Sequence, residues 1–253
     1  MGYNPRAMTL RARAATLSPA SALQAPVRRL RELLPRLTAV ILFGSRASGL
    51  ADDFSDYDLI VLLPNGLDSA KRRAVADQLR AEFPAFHLDL VFGSRRSLLA
   101  SLRYEPTRRF WLENGLALWG RKPVVKQYPP LAQGALLSHL NLVEAEMGVA
   151  QAEDTAHARG RVCADALEHL LQIEHALAGD YRNESVQQTL AQLIGRDFLR
   201  ALRDPAKPLA PAESRRLFRV TREKLRALKA QVQAMPENES DRVWREQWEA
   251  TIV

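Results

Sequence analysis

Two aspartates two residues apart, Asp56 and Asp58, open an apolar run from Tyr57 to Leu63. Residues i and i+2 of a strand point to the same face. The pair therefore sets two carboxylates a few ångströms apart. Charges that close repel unless a cation sits between them, and hard carboxylate oxygens suit Mg²⁺ or Mn²⁺. A third acid, Asp89, falls in the middle of another apolar run, Phe86 to Phe92, a poor place for an unpaired charge. With that run laid beside the first, Asp89 joins the pair. Three acids and two divalent cations are a frame for in-line attack on phosphorus. Gly44-Ser45 ends a third strand-like run, Leu37 to Phe43. Glycine lets a backbone approach a phosphate closely. The adjoining N–H groups and the serine hydroxyl can hold a triphosphate, and Arg46 adds charge beside them. The candidate site is thus Asp56, Asp58 and Asp89 for metal and catalysis, with Gly44, Ser45 and Arg46 for a nucleoside triphosphate.

The elements that must position these residues are readable from periodicity and punctuation. Ser18-Pro19 starts a helix that Pro35 ends, with Leu23, Val27, Leu30, Leu33 and Leu34 on one face. The strand Leu37 to Phe43 follows, then a polar loop, Arg46 to Ser55, holding Ser48, Gly49, Asp52 and Asp53. The strand Tyr57 to Leu63 closes at Pro64-Asn65-Gly66. A helix spans Asp68 to Phe83, and the strand Phe86 to Phe92 comes next. Arg95 to Leu118 reads as a helix broken near Pro106, and Trp119 to Pro123 as a boundary that Pro129 and Pro130 reinforce. From Leu131 onward strand-like alternation stops. Four helices are expected over 131–151, 157–178, 184–203 and 212–235, with Asn183 and Pro211 as starts and Gly179 as a stop. Trp244 and Trp248, four apart, are expected to anchor the tail. The fold class is an α/β N-terminal domain with a small mixed sheet, followed by an all-α helical bundle. The domains are a basic leader over 1–17, the α/β domain over 18–125 and the bundle over 126–253.

Phe43-Gly44-Ser45-Arg46-Ala47-Ser48-Gly49, a loop of ten residues after Ser45, Ser55-Asp56-Tyr57-Asp58-Leu59 and His87-Leu88-Asp89 follow one another in that order. This pattern resembles the nucleotidyltransferase superfamily related to DNA polymerase β, and especially the minimal nucleotidyltransferases of bacteria and archaea. Phe110 to Gly115, ending in Leu118-Trp119-Gly120, resembles the end of that minimal domain, so the resemblance covers residues 36–122. It implies transfer of a nucleoside monophosphate from a triphosphate, ATP foremost, to an acceptor hydroxyl, with release of pyrophosphate. The acceptor could be a small molecule such as an aminoglycoside, a protein side chain or an RNA end. By the same resemblance Asp56 and Asp58 bind both metals, Asp89 binds the metal beside the nucleophile, and Gly44 and Ser45 hold the β- and γ-phosphates. The second half is similar in plan to the helical domains of aminoglycoside nucleotidyltransferases. It is also similar to the HEPN helical partners of minimal nucleotidyltransferases in toxin–antitoxin pairs. HEPN ribonucleases carry Arg and His four to six residues apart. The nearest pair here, Arg161 and His169, departs from that pattern, and no intrinsic ribonuclease activity is expected. Glu144 and Glu146 stand in the first bundle helix without an assigned role. The alternative reading is a non-catalytic, antitoxin-like interaction protein, against which three mutually repelling acids argue.

Composition bounds the rest. Of 253 residues, 47% are hydrophobic and 26% charged, which excludes disorder as the main state. No apolar run approaches the roughly 18 residues that span a bilayer. A single cysteine, Cys163, forms neither an internal disulfide nor a cysteine-rich zinc site, and a reducing, cytoplasmic setting fits it best. Residues 1–125 carry 19 Lys+Arg against 11 Asp+Glu, a surplus of 8, while residues 126–253 carry 17 against 18. The basic half suits an anionic ligand such as a triphosphate or RNA. Neither a membrane nor DNA is expected as a partner, and a homodimer is compatible with the sequence. Glu32 is the first acid; Arg6, Arg11 and Arg13 precede it in the expected frayed leader. His87, two before Asp89, reads as structural. His169 and His175, six apart on a helix, do not share a face and are no metal pair.

Overall fold

Ala39–Phe43 forms β1, and all five side chains are buried, the mark of a strand covered on both faces. The structure is a computed structural model that describes residues 19–49, 51, 55–204 and 209–252. The leader expected over 1–17, the cap Ser18 and the loop residues Asp52 and Asp53 lie outside the described residues. β1 pairs antiparallel with β2, Tyr57–Leu62, and β3, Leu88–Gly93, lies parallel to β2. With β4, Leu116–Gly120, the sheet is four-stranded and mixed, in the order β3-β2-β1-β4.

One face of this sheet is filled by helices. The expected N-terminal helix is two pieces, α1 at Pro19–Ala22 and α2 at Gln24–Leu33. Pro26 explains the break, because it has no N–H to give to the carbonyl four residues back. Leu23, Val27 and Leu30 then meet Val75 and Leu79 of α4, Ser69–Glu82, over Leu42, Leu59 and Val61 of the sheet. The Asp68 side chain caps α4 by accepting the Lys71 N–H at 2.8 Å.

Two expectations are corrected in this region. The polar loop after β1 begins instead as a short helix, α3, Gly44–Ser48, in which the Ser48 hydroxyl donates to the carbonyls of Gly44 and Ser45 at 3.2 Å. The helix expected over Arg95 to Leu118 is α5, Arg95–Ser101, then α6, Pro106–Asn114, and finally the strand β4. Leu116-Ala117-Leu118 is rich in helix formers. It is extended because the second edge of β1 is available, pairing Leu42 with Leu116 and Ile41 with Ala117. Tertiary pairing overrides propensity there.

Contacts divide the chain into two compact units. One comprises the described part of Met1–Ala100 with Trp111–Lys126; the other comprises Ser101–Phe110 and the described part of Gln127–Val253. The second unit is helical: α7 Gln133–Ala152, α8 Ala156–Leu177, α9 Asn183–Ile194, α10 Arg196–Arg203, α11 Pro211–Gln233 and α12 Glu239–Ile252. Leu136, Leu140 and Met147 of α7, Leu167 and Leu170 of α8, and Leu217 and Leu225 of α11 share its core. Asn183 and Pro211 open helices as expected. The single helix expected over 184–203 is interrupted at Gly195, whose φ of 91° is a backbone state glycine adopts without strain. The buried Arg109 guanidinium donates to the Leu102 and Pro129 carbonyls and to the Tyr181 hydroxyl, so residues 101–110 are tied into this unit. Trp244 packs 5.5 Å from Tyr104, fixing α12; the Trp248 side chain lies outside the described ones. Among the described residues no helix is long and apolar enough to cross a membrane.

Candidate active site

The register of three strands builds the site. β1 and β2 run antiparallel with Phe43 opposite Asp58, so the residue after Phe43, Gly44, lies at the head of β2. β2 and β3 run parallel with Asp58 opposite Asp89 and Tyr57 opposite Leu88, and the Tyr57 N–H donates to the His87 carbonyl at 2.7 Å. In-register neighbours on adjacent strands share a face and are about 5 Å apart. Asp58 and Asp89 are such neighbours. Asp56, two residues before Asp58, belongs to the same face. That face is the reverse of the one carrying Tyr57, Leu59 and Val61 toward α2 and α4.

Asp58 senses the other two acids. Asp58 is half-buried while Asp56 and Asp89 are exposed. Burial pushes the Asp58 carboxyl up to about 6; the charges of Asp89 and then Asp56 push it the same way, and Arg46 opposes them. Asp89 was expected in the middle of a covered strand. β3 is instead the sheet's edge and Asp89 faces solvent, so its place is set by register with Asp58 rather than by burial.

Gly44 has a specific reason to be glycine. Its φ is 72°, and a Cβ added there would lie 2.2 Å from the Asp58 Oδ2. The carboxylate occupies the volume that a side chain would need. Close approach at this glycine thus serves the acid of the neighbouring strand, a contact that sequence spacing did not reveal. Ser45 follows, half-buried in α3. The Arg46 guanidinium donates from Nε and Nη2 to the Ser55 carbonyl at 2.9 and 2.7 Å and lies 4.0 Å from the Tyr57 ring centre. It clips together the two ends of the loop that separates Ser45 from Asp56. Phe43 packs against Trp111, rings 4.3 Å apart, behind this corner.

The six candidate residues therefore gather at one corner of the sheet: Gly44, Ser45 and Arg46 on α3, and Asp56, Asp58 and Asp89 on or beside β2 and β3. His87 is exposed there and contributes its carbonyl to β2. Among the described residues no group of three or more His, Cys, Asp or Glu side chains is arranged to hold a metal ion. The donor set is all carboxylate oxygen, the chemistry a hard divalent cation takes, and the mutual repulsion at Asp58 is what such a cation would relieve.

In the helical unit His139, His169 and His175 lie among residues of the bundle itself. His175 is 3.1 Å from the Thr189 hydroxyl, and His169 lies against His139, with burial holding its ring down to about 4 and so neutral. His139, unremarked in the sequence, is 3.3 Å from Glu105. Cys163 is fully buried and its thiol is pushed up to about 11, which makes it inert.

Residues 27–118 match the family model described as a nucleotidyltransferase domain. Among curated proteins none matches. A solved toxin–antitoxin complex with AMP-PNP is 30% identical over 38% of this chain and 71% of that one, with a TM-score of 0.30. A tri-AMPylated HEPN toxin of Shewanella oneidensis in complex with an MNT antitoxin is 28% identical, covering 38% and 68%, with a TM-score of 0.28. The toxin–antitoxin MntA-HepT is 28% identical over the same shares, with a TM-score of 0.27.

Proposed function

This chain belongs to the nucleotidyltransferase domain family through residues 27–118, and we propose that it moves a nucleoside monophosphate from a triphosphate, ATP foremost, to an acceptor hydroxyl. The hydroxyl oxygen attacks the α-phosphorus, the bond to the bridging oxygen breaks, pyrophosphate leaves, and the hydroxyl proton is lost to solvent. The observation that carries this reading is the Asp58 carboxylate, seated on Gly44 and paired in register with Asp89.

Each residue has a part. Gly44 and Ser45 present the start of α3 to the β- and γ-phosphates. Arg46 donates to the Ser55 carbonyl, stacks on the Tyr57 ring and adds positive charge near the triphosphate. Asp56 and Asp58, at the head of β2, grip the nucleotide side of the site. Asp89, on the other strand and facing solvent, stands on the acceptor's side. These three carboxylates, though not arranged around an ion in this structure, are the ones that would hold Mg²⁺ or Mn²⁺, which would neutralise the triphosphate and lower the pKa of the attacking hydroxyl. Positioning and charge supply most of the rate.

The test is incubation of the full chain with each labelled triphosphate, Mg²⁺ and three acceptor classes: an aminoglycoside, protein hydroxyls and an RNA end. Label is expected in one class, with its transfer abolished by Asp58→Asn. Label in none, or transfer surviving that substitution, refutes the proposal.

A further inference from the structure

Strand register sets Gly120, Ala39, Leu62 and Gly93 side by side in one row across the four strands of the sheet. This is the end away from the acids: Asp58 lies four residues back along β2, about 13 Å. Every strand brings cations to the row. Arg36 precedes β1 and Arg121 follows β4. β2 leads into α4, whose opening turns carry Lys71, Arg72 and Arg73, and Arg95 and Arg96 follow β3. All seven are exposed. The acid in these turns, Asp68, is used to cap α4, and Arg72 donates to the Leu67 carbonyl at 2.5 Å rather than to a carboxylate. Among the described residues none of the seven forms an ion pair with a carboxylate. Charge is screened over roughly 8 Å at physiological salt. These cations therefore stand too far from Asp58 to serve a triphosphate at the acid corner, although they make up much of the basic surplus of residues 1–125.

We propose that this basic end of the sheet is a binding surface for the phosphate backbone of a nucleic acid. Like charges gathered so closely repel one another, and a bound polyanion relieves that repulsion. All but Lys71 are arginines, whose guanidinium fork takes a phosphate through two hydrogen bonds. Strands about 4.8 Å apart make the row roughly 14 Å wide, the length over which one strand of a duplex presents about four phosphates. Contacts of this kind fix position and carry no base sequence, so the surface binds without sequence preference. A membrane surface is ordinarily met by one amphipathic helix with apolar residues opposite its cations, whereas these cations come from separate turns at four strand ends. A second copy would bring like charge against like charge. The full chain, at +7, attracts a polyanion from a distance.

The experiment titrates the full chain into a labelled strand of about 20 nucleotides of mixed sequence, as RNA and as DNA, and follows fluorescence anisotropy from about 50 to 200 mM salt. Four phosphate contacts predict an affinity that falls with salt at a log–log slope of about −3. Arg95→Ala/Arg96→Ala is expected to weaken binding by about 10-fold or more at the lowest salt and to flatten the slope by roughly 1 to 2. Arg215→Ala/Arg216→Ala removes the same charge from exposed positions on α11 and is expected to change neither. Circular dichroism of both variants should match the wild type, because the four arginines are exposed. A stronger hold on RNA or on DNA tells which of the two the surface serves. Three results overturn the proposal: no binding to either strand, equal weakening by the α11 pair, or tighter binding to phosphatidylserine–phosphatidylcholine vesicles or polyglutamate than to both strands. Chelator is present and triphosphate is absent throughout, so the outcome is independent of the catalytic reading.

Discussion

Gly44→Ala is expected to damage the protein through Asp58, and a double-mutant cycle isolates that route. Two costs attach to the added methyl. The backbone at Gly44 has a φ of 72°, a left-handed state that costs an L-residue roughly 1–2 kcal/mol. The new Cβ would also lie 2.2 Å from the Asp58 Oδ2 and 3.2 Å from its carboxyl carbon. Displacing that carboxylate is an overpacking cost of about 1–3 kcal/mol. The Asp58 Cβ, by contrast, is 3.6 Å from the added methyl, ordinary contact. Asp58→Ala therefore removes the second cost and leaves the first. Gly44→Ala should destabilise the sheet by about 2–5 kcal/mol alone and by only about 1–2 kcal/mol in the Asp58→Ala background. The coupling of about 1–3 kcal/mol is the measure of the contact. Hydrogen exchange at β1 and β2 amides, with chelator present, reads this unit's stability without the bundle. Costs that add to within about 0.5 kcal/mol would refute the contact.

The remaining expectations concern charge and chemistry. In chelator, Asp58 holds its proton to about pH 6 in the folded state, against an ordinary value of 3.8. It contributes stability below pH 4 that is lost as the pH rises through 6. Denaturant unfolding between pH 4 and 8 should show a downward slope that Asp58→Asn flattens; an unchanged slope would refute the raised Asp58 carboxyl, whose first cause is burial and second the neighbouring acids. Asp89→Asn should lower transfer by about 100-fold, roughly 3 kcal/mol of barrier, with a modest change in nucleotide affinity. Ser45→Ala should instead weaken triphosphate binding first. A variant with Asp89→Asn that transfers label at the wild-type rate makes Asp89 a structural acid. Arg46→Lys keeps the charge but cannot make the two-pronged contact to the Ser55 carbonyl. It should speed proteolysis of the loop after α3, and a loop cut no faster would refute the clip.

Local sequence was enough to place β1, β2, β3 and the helix α4, because each is an apolar run or a helical stripe bounded by Pro, Gly or Asp. It also named Asp56, Asp58 and Asp89 beside Gly44-Ser45 as candidates, since acids at strand positions are rare without a cause, and strand register sets them at one corner of the sheet. Pairing was beyond its reach. Leu116–Gly120 has the composition of a helix and became β4 because β1 offered a second edge. Asp89 looked like a buried acid and proved an exposed one on an edge strand, brought to Asp58 by parallel register. Gly44 was read as room for a phosphate, and only the tertiary structure shows that its missing side chain also leaves room for the Asp58 carboxylate. Residues 101–110 fold with the helical unit because a buried arginine, Arg109, finds its acceptors there. Each of these depends on which segment lies across from which. Propensity and periodicity act over a few neighbours along the chain, while register and close approach arise between segments tens of residues apart.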